Sequence, residues 1–296
     1  MTLKELILKG RELVSTAYPE KEAAEIVFSY LESVLGTKRH THIVYPDYEV
    51  PDNQVVRILI DLECIAACAP IQYVLRKAWF YSREFKVTPD VLIPRPETEI
   101  LVSEVVSTSR ASRVLDLCTG SGCIAWTLAL EMPGTKVVAV DVSDGALKVA
   151  SEQDFAKEMA QTGALAPEFI KSDVLAEELD PAIEGKFDVL VSNPPYVMEK
   201  EKELMRANVL EHEPHLALFV PDDDPLIFYR AIAGHALRHL SPEGFGLVEI
   251  NEALGEETAE VFRALGFEAY VIRDLSDKDR FVRFHFEKNR SFFKKT

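Results

Sequence analysis

The sequence predicts an α/β protein with a doubly wound, mostly parallel sheet of seven strands, preceded by a small helical domain and a β-hairpin linker. Two patterns carry this prediction. Apolar residues recur at every third or fourth position over residues 1–75, which is typical of amphipathic helices. From about residue 97, apolar runs typical of strands alternate with helical stretches, which indicates parallel strands joined by helices. Such sheets bind ligands at the carboxyl ends of their strands, so we expect the functional site there.

Three amphipathic runs make up the predicted helical domain, residues 1–75. They begin near Leu3, Ala23 and Val55. The third run stops before Pro70, because proline lacks the N–H that a helix interior needs. The domain contains no residue pattern typical of a catalytic site, so we expect the chemistry to lie elsewhere.

A short linker, residues 76–96, follows these helices. It is rich in aromatic and β-branched residues and has turn-forming residues at Thr88-Pro89-Asp90, which predicts a β-hairpin with its turn near that position. The predicted α/β domain, residues 97–296, contains seven apolar runs that predict strands. These runs are Arg113–Cys118, Lys136–Asp141, Glu168–Lys171, Phe187–Ser192, Gly244–Ile250, Glu268–Ile272 and Phe281–Phe286.

The charge of the chain limits its partners. With 33 Lys and Arg against 49 Asp and Glu, the formal net charge is −16. Nucleic-acid binding depends on clustered Lys and Arg, so we expect no direct nucleic-acid binding and favour a basic protein partner. No apolar run approaches the roughly 18 residues of a membrane span, and the first residues lack the apolar core of a signal peptide. We therefore expect a cytoplasmic protein that does not enter a membrane.

The four cysteines do not indicate a disulfide framework in a chain of 296 residues. Cys64 and Cys68 lie four positions apart on a predicted helix, a spacing compatible with half of a metal site. No Cys-x-x-Cys motif or neighbouring His completes that site, so we expect two small buried side chains and assign no metal.

A Gly-rich turn follows the first predicted strand of the sheet. The strand ends at Cys118 and continues into Thr119-Gly120-Ser121-Gly122, where glycines let the backbone turn sharply and approach a ligand. Asp141 ends the next strand, 21 residues beyond Gly120, where a carboxylate can accept both hydroxyls of a ribose. With Ala125, the turn also matches the dinucleotide fingerprint. On this pattern alone, a nicotinamide cofactor and S-adenosylmethionine fit about equally.

Two further acids favour S-adenosylmethionine. Asp116 precedes the turn, where a carboxylate repels a pyrophosphate but attracts an ammonium or sulfonium group. Asp173 follows the third strand, where it could hold the adenine amino group while Val174 covers the ring. Each acid could instead cap the N-terminus of a helix. Together with Asp141, however, the acids stand at three successive strand ends, which makes a binding site the better interpretation.

The fourth predicted strand ends in Asn193-Pro194-Pro195-Tyr196. The prolines could serve only to end the strand, since proline cannot donate to a sheet. The segment also fits a slot for a planar nitrogen. An Asn oxygen and a proline carbonyl can accept from the two N–H bonds, while proline fixes the carbonyl direction and Tyr can stack on the planar group. We favour the slot, because it faces the same crevice as the acids and needs no nucleophile or metal.

Several segments resemble known proteins. Residues 116–122 resemble the first motif of the class I S-adenosylmethionine-dependent methyltransferases, which have a Rossmann-like fold. Residues 193–196 are similar to the subset that methylates amino or amide nitrogens. Residues 70–75, 92–99 and 213–218 narrow the resemblance to the HemK/PrmC family, the peptide chain release factor glutamine methyltransferases. The resemblance covers nearly the whole chain.

The resemblance implies methyl transfer from S-adenosylmethionine to the side-chain amide nitrogen (N5) of the Gln in a release factor's Gly-Gly-Gln motif, with S-adenosylhomocysteine as product. Asn193–Tyr196 would clamp the substrate Gln and carry the catalysis, and the helical domain would help to dock the release factor. Arg95 and Glu97 would lie at the mouth of the site, where they bind substrate or form a structural ion pair. The cofactor contacts implied are Cys118, Thr119, Gly120, Ser121, Gly122, Asp141, Asp173, Val174 and Asn193.

Some positions depart from the family pattern. The positions at which we expect a glycine hold Arg76, Ser82 and Asp277. Residues 221–225 stand where we expect a Gly-rich turn, and Asp154 replaces an expected Asn within the atypical run 151–157. These departures concern loop conformation and docking more than chemistry, because both core motifs are intact.

Three other functions fit parts of the pattern. A ribosomal-protein glutamine methyltransferase would use the same chemistry. A DNA adenine-N6 methyltransferase shares the slot, but the net charge and the lack of a recognisable target-recognition domain count against it. A module that binds the cofactor and docks on release factors without turnover would not need Asn193.

Overall fold

The computed structural model describes residues 1–274 and 276–287. These residues form two compact units. The smaller unit comprises Met1–Lys77 and Met205–His212, and the larger comprises Ala78–Leu204 and the residues from Glu213 onward. The stretch Met205–His212 lies outside the predicted helical domain, because it comes after the fourth strand of the sheet in sequence.

The smaller unit is helical, whereas helices and strands alternate over most of the larger unit. In chain order, the helices of both units are α1 Leu3–Val14, α2 Glu20–Leu35, α3 Thr41–Val44, α4 Asp52–Ala66, α5 Ile71–Leu75, α6 Thr98–Thr108, α7 Cys123–Glu131, α8 Asp144–Ser151, α9 Ala156–Thr162, α10 Ala207–Leu210, α11 Ile227–His239 and α12 Gly255–Ala264. The strands are β1 Lys77–Phe80, β2 Arg83–Lys86, β3 Arg113–Leu117, β4 Lys136–Asp141, β5 Glu168–Lys171, β6 Phe187–Ser192, β7 Val197–Met198, β8 Phe219–Val220, β9 Leu240–Glu249, β10 Phe267–Arg273 and β11 Asp279–Phe286. Two 3₁₀ helices span Glu199–Leu204 and His215–Ala217. In the part of the chain that the structure describes, no helix combines the length and the hydropathy that a membrane crossing requires.

The smaller unit packs α1, α2 and α4 around an aliphatic core. Thr2 caps α1: its hydroxyl accepts from the Glu5 N–H, and the Glu5 carboxylate accepts from the Thr2 N–H. Tyr30 on α2 is fully buried, and its hydroxyl donates to Asp61 on α4 over 2.5 Å. This bond ties two of the helices together inside the unit.

The three predicted helical runs are confirmed by α1, α2 and α4. The predicted burial of Cys64 is wrong, since this side chain is exposed, while Cys68 is half-buried. The reason is the helical repeat of α4, whose core positions follow a spacing of three and four residues that leaves Cys64 on the outer face. These core positions are Val55, Ile58, Leu62 and Ile65.

Seven strands form one sheet in the order β10-β11-β9-β6-β3-β4-β5. The strands from β9 to β5 run parallel, and β11 runs antiparallel to both of its neighbours. Val114 and Leu115 on β3 point to opposite faces, and each belongs to a separate buried cluster that helices cover. The doubly wound, mostly parallel, Rossmann-like sheet and the seven strand positions are therefore confirmed. This topology brings the carboxyl ends of β3, β4, β5 and β6 to one edge.

The hairpin turn lies elsewhere than predicted. Tyr81 and Ser82 connect β1 to β2, whereas Thr88–Asp90 forms a separate turn beyond the hairpin. Tyr81 and Ser82 both adopt left-handed backbone, with φ of 49° and 62°. Paired left-handed residues match the right-handed twist of two antiparallel strands, which explains a tight turn without a glycine or proline signal.

The three positions at which the sequence leads us to expect glycine share one backbone property. Arg76, Ser82 and Asp277 have φ of 56°, 62° and 60°. A side chain in this left-handed region costs about 1 kcal/mol relative to glycine. The departures therefore keep the backbone that a glycine would adopt and add strain at each position.

Candidate active site

A cavity of about 240 Å³ opens at the carboxyl ends of β3, β4, β5 and β6. Its lining includes ten of the residues that the sequence assigns to cofactor or substrate: Arg95, Cys118, Thr119, Gly120, Ser121, Asp141, Asp173, Val174, Asn193 and Pro195. Five other assigned residues do not line it: Glu97, Asp116, Gly122, Pro194 and Tyr196. The edge of the sheet thus brings together most of the predicted site from four separate strand ends.

Two glycines shape the first wall of the cavity. Gly120 and Gly122 have φ of 54° and 77°, which glycine adopts without strain. A Cβ on Gly120 would meet no atom within 4 Å, as expected for a residue that borders an open cavity. A Cβ on Gly122 would approach Ala150 to 3.0 Å and Trp126 to 3.1 Å, so this glycine lets the turn pack closely on the helices beneath it.

Asp141 is held by backbone N–H groups and still has acceptor capacity. One carboxylate oxygen accepts from Gly120 over 2.9 Å, and the other accepts from Ser143 over 3.0 Å. A carboxylate offers about four lone-pair positions, so acceptor capacity remains for a ligand such as a ribose diol. Burial raises the pKa of Asp141. The capping alternative is wrong for this acid, because Ser143 caps α8 by accepting from Ala146.

Asp116 lies beneath the Gly-rich turn. It is completely buried, and its carboxylate accepts from the Thr119 hydroxyl over 2.6 Å. Burial raises the pKa of Asp116 to about 7, although the Thr119 hydrogen bond opposes the shift. Thr119 lines the cavity and Asp116 does not, so Asp116 influences the cavity through Thr119 and through its charge. It does not cap α7, whose N-cap residue is Gly122.

Asp173 and Val174 form the wall that follows β5. Asp173 is exposed, and one of its oxygens accepts from the Leu175 N–H over 2.8 Å. No helix follows this strand directly, so the capping alternative is wrong here too. The Val174 carbonyl lies 2.8 Å from Nε2 of His235 on α11. A carbonyl only accepts, so Nε2 carries the proton, and the neutral ring is favoured because burial lowers the pKa of His235.

Asn193 lies at the fourth wall with a defined orientation. Its Nδ2 donates to the Thr98 hydroxyl oxygen over 3.1 Å. The Thr98 hydroxyl in turn donates to Glu249 over 2.7 Å. Because the Asn193 amide nitrogen is engaged by Thr98, its Oδ1 is left to accept from a ligand.

Tyr196 does not reach the cavity wall. Its hydroxyl donates to the second oxygen of Glu249 over 3.0 Å, and its backbone carbonyl accepts from Asn251 over 3.2 Å. Burial beside Glu249 raises the pKa of the Tyr196 phenol, which therefore stays protonated and acts as a donor. These two hydrogen bonds hold the end of the Asn-Pro-Pro-Tyr turn in place.

Thr98 and Glu249 are functional candidates that the sequence reasoning missed. Glu249 ends the apolar strand β9, and its side chain is buried. The rule that singled out the three aspartates, an acid at a strand's carboxyl end, applies to it equally. Thr98 lies in segment 92–99, which carries part of the family resemblance, but only the tertiary structure brings it to Asn193, 95 residues away in sequence.

Arg95 lines the cavity and is paired. Its guanidinium donates to Glu213 over 2.6 Å, and the other Glu213 oxygen accepts from the Ile93 N–H over 3.1 Å. The Glu213 side chain is 1% exposed, so this acid anchors the segment that carries Arg95. Glu97 is exposed and lies outside the lining. The ion pair at the mouth is thus Arg95 with Glu213.

Gln153, in the atypical run 151–157, supports the Gly-rich turn. Its amide oxygen accepts from the Lys86 N–H over 2.9 Å. Its amide nitrogen donates to the carbonyls of Lys86 and Ser121 over 2.9 and 3.1 Å. One buried side chain therefore links the end of the hairpin to the turn.

No group of three or more His, Cys, Asp or Glu is placed to hold a metal ion within residues 1–274 and 276–287. Aspartate, backbone N–H and amide groups instead dominate the polar wall. This donor set suits a ligand with hydroxyl and amino groups.

Comparison with known proteins places the chain among methyltransferases. A family model described as "Methyltransferase small domain" matches residues 96–217. The protein named "Release factor glutamine methyltransferase" of Flavobacterium psychrophilum is 36% identical over 293 residues, which cover 97% of this chain and 100% of that protein. The protein of the same name of Bacteroides thetaiotaomicron is 44% identical over 216 residues, covering 72% of this chain and 74% of that protein.

Among solved structures, the protein-(glutamine-N5) methyltransferase (release factor-specific) of Alicyclobacillus acidocaldarius is 30% identical. The match covers 69% of this chain and 100% of that chain, with a TM-score of 0.39.

Proposed function

Because this chain belongs to the release factor glutamine methyltransferase family, we propose that it methylates the side-chain nitrogen (N5) of the glutamine in the Gly-Gly-Gln motif of peptide chain release factors. The methyl donor in this proposal is S-adenosylmethionine, and the product is S-adenosylhomocysteine. The observation that carries the proposal is that Asn193, whose Nδ2 is engaged by Thr98, lines the same cavity as Asp141.

The residues of the cavity fit S-adenosylmethionine, which when bound supplies an electrophilic methyl group on a sulfonium. Asp141 retains acceptor capacity for the ribose hydroxyls beyond its bonds to backbone N–H groups. Gly120 leaves open space where any side chain would project toward the ligand. Asp173 and Val174 line the cavity, and the proposal assigns them to the adenine amino group and ring. Asp116 is buried beneath the turn, and its ionised form would favour a bound ammonium or sulfonium. The cofactor role of these residues, and the expectation of no metal, are parts of the proposal.

The substrate amide needs two acceptors and a fixed direction. Its nitrogen lone pair is delocalised, so it attacks poorly unless its N–H bonds are engaged and it is aligned with the methyl group. In the proposal, Asn193 Oδ1 accepts one N–H and a proline carbonyl of the turn accepts the other, while Pro195 forms part of the cavity wall. The chain's contribution is positioning and electrostatic stabilisation, which supply several kcal/mol in comparable sites. Tyr196 holds the turn in place rather than stacking on the amide.

The mouth of the cavity suits a protein substrate. Arg95 lines the cavity and is bonded to Glu213, and its guanidinium has further N–H donors. We assign these donors to the carbonyls of an extended Gly-Gly-Gln segment. The net charge of −16 favours a basic partner and disfavours nucleic acid. We assign docking of the release factor to the helical domain, residues 1–75, and a cytoplasmic location to the enzyme, because translation termination takes place there.

A labelling assay tests the function. Purified chain, radiolabelled S-adenosylmethionine and a purified release factor should give a labelled factor, whereas a Gln→Ala variant of its Gly-Gly-Gln motif should remain unlabelled. Parallel reactions contain ribosomal protein or duplex DNA. Equal labelling of the wild-type factor and its Gln→Ala variant, or labelling of DNA instead, would overturn the proposal. Preferential labelling of a ribosomal protein would favour the ribosomal-protein glutamine methyltransferase instead.

A further inference from the structure

We propose that Glu249 is a positioning residue that determines which end of the Asn193 amide faces the cavity, and that the slot thereby accepts a glutamine side chain and rejects a glutamate side chain. This inference rests on the proposed function and names a specificity device for it. Glu249 itself does not line the cavity, so it acts through Thr98 and Asn193.

The hydrogen bonds from Glu249 to Asn193 have a fixed direction. An ionised carboxylate can only accept, so the Thr98 hydroxyl must donate its single proton to Glu249, over 2.7 Å. The Thr98 oxygen then has only lone pairs for its second neighbour. Asn193 must therefore turn its Nδ2 toward Thr98, over 3.1 Å, and its Oδ1 away.

The second oxygen of Glu249 is fixed in the same way. It accepts from the Tyr196 hydroxyl over 3.0 Å. Burial raises the pKa of Glu249, while the hydroxyls of Thr98 and Tyr196 and the nearby Arg280 oppose this shift by favouring the ionised form, in which both oxygens accept. With 1% of the residue exposed, water cannot replace either bond. The carboxylate thus controls both ends of the Asn-Pro-Pro-Tyr turn.

This direction has a consequence for selectivity. With Oδ1 outward, the acceptors proposed for the slot, Asn193 Oδ1 and a proline carbonyl of the turn, are both oxygens. A glutamine amide can donate to both, but a glutamate carboxylate would place its lone pairs against theirs. A buried pair of facing acceptors costs about 1–3 kcal/mol. If the Asn193 amide were free to flip, its Nδ2 would instead accommodate the carboxylate.

Two single-atom changes break the chain of hydrogen bonds. Thr98→Val keeps the shape but removes the hydroxyl, and Glu249→Gln allows an amide N–H to point at Thr98. Thr98→Ser retains the hydroxyl and serves as the rescue variant. Tyr229→Phe is the matched control, because the Tyr229 hydroxyl donates to the backbone carbonyl of Glu249, over 3.1 Å, and not to its carboxylate.

Competition between release factors measures selectivity. Motif variants Gln→Glu and Gln→Ala compete with the labelling of the wild-type factor, and the ratio of their inhibition constants is compared among enzyme variants. With the wild-type enzyme, the Glu variant should inhibit at least about tenfold more weakly than the Ala variant. Thr98→Val and Glu249→Gln should bring this ratio close to one and lower kcat by about tenfold or more. Thr98→Ser and Tyr229→Phe should keep the wild-type ratio.

A purely structural role would change the two inhibition constants together and leave their ratio unchanged. That result in Thr98→Val, with cofactor affinity and thermal unfolding close to wild type, would overturn the inference even if Glu249→Gln fails to fold. A change of the ratio in Tyr229→Phe as large as in Thr98→Val would also overturn it. Absence of release-factor labelling by the wild-type enzyme would instead overturn the proposed function.

Discussion

The residues that we propose for the cofactor and for the substrate are held in the fold in different ways. The proposed cofactor wall comprises residues 116–122, Asp141, Asp173 and Val174, and the proposed substrate wall comprises residues 193–196. The cofactor wall has short-range support, because Asp116 bonds to Thr119, three residues away, and Asp141 bonds to Ser143, two residues away. Its longer links, from Asp141 to Gly120 and from Gln153 to Ser121, span 21 and 32 residues. The substrate wall is held from a distance, since Asn193 depends on Thr98, 95 residues away in sequence. Hydrogen bonds between residues that are close in sequence can be predicted from short motifs. Hydrogen bonds between residues far apart in sequence can be found only once the fold is known. The two walls should therefore respond separately to mutation.

Asn193→Ala breaks the substrate wall and should have the largest effect. Loss of one positioned acceptor should reduce kcat by about 10²–10³. Cofactor affinity should stay within roughly tenfold, because the cofactor wall loses at most one hydrogen bond. Steady-state labelling and calorimetric titration of S-adenosylmethionine measure the two quantities. Equal losses in both would show that Asn193 serves chiefly as a cofactor ligand.

Gly122→Ala breaks the cofactor wall instead. The new methyl group would lie 3.0 Å from Ala150 on a left-handed backbone, which should cost about 2–3 kcal/mol of folding free energy and weaken cofactor binding. Gly134→Ala is the control, because its φ is also left-handed, at 90°, but a Cβ there would meet nothing within 4 Å. Chemical unfolding and cofactor titration compare the two. Similar losses in both variants would mean that backbone strain, and not packing of the turn, is responsible.

Asp116→Asn should change how the stability of the protein depends on pH. The pKa of Asp116 is raised to about 7, so the protonated form favours the folded state, and this contribution is lost as pH rises through 7. The stability of Asp116→Asn relative to wild type should therefore increase by about 2 kcal/mol between pH 5.5 and pH 8. Urea unfolding of the ligand-free proteins at both pH values measures it. A difference that is constant with pH would contradict the raised pKa.

Ser82→Gly and Arg76→Gly lie outside both walls and should have the smallest effects. Each relieves a left-handed side chain, so each should stabilise the protein by up to about 1 kcal/mol without changing kcat. Thermal unfolding and labelling assays provide the measurements. A change in kcat would show that the hairpin influences the cavity, whereas destabilisation would mean that these side chains make contacts worth more than the strain.

The sequence allowed most of the fold to be predicted, together with the strand ends that line the cavity. An apolar run that ends in Asp, as at Asp141, predicts both a strand and a polar group at its carboxyl end from a few adjacent residues. The hairpin turn was misplaced because Tyr81 and Ser82 adopt left-handed backbone without glycine. The support of the slot was missed for another reason: Thr98 meets Asn193 only after the sheet has formed. Residue type and spacing in the sequence do not reveal such a tertiary contact.

The way in which the chain is divided between the two units limits which truncations can separate them. The chain passes between the two units three times, at residues 77/78, 204/205 and 212/213. Within the smaller unit, Arg206 of the returning stretch bonds to Glu22 of α2 over 2.9 Å. Truncation before residue 78 would thus leave Met205–His212 attached to the larger unit without its partners. A separable catalytic fragment requires both the removal of the helices and a short substitute for that stretch, so the gene cannot be divided into two independent modules by a single cut.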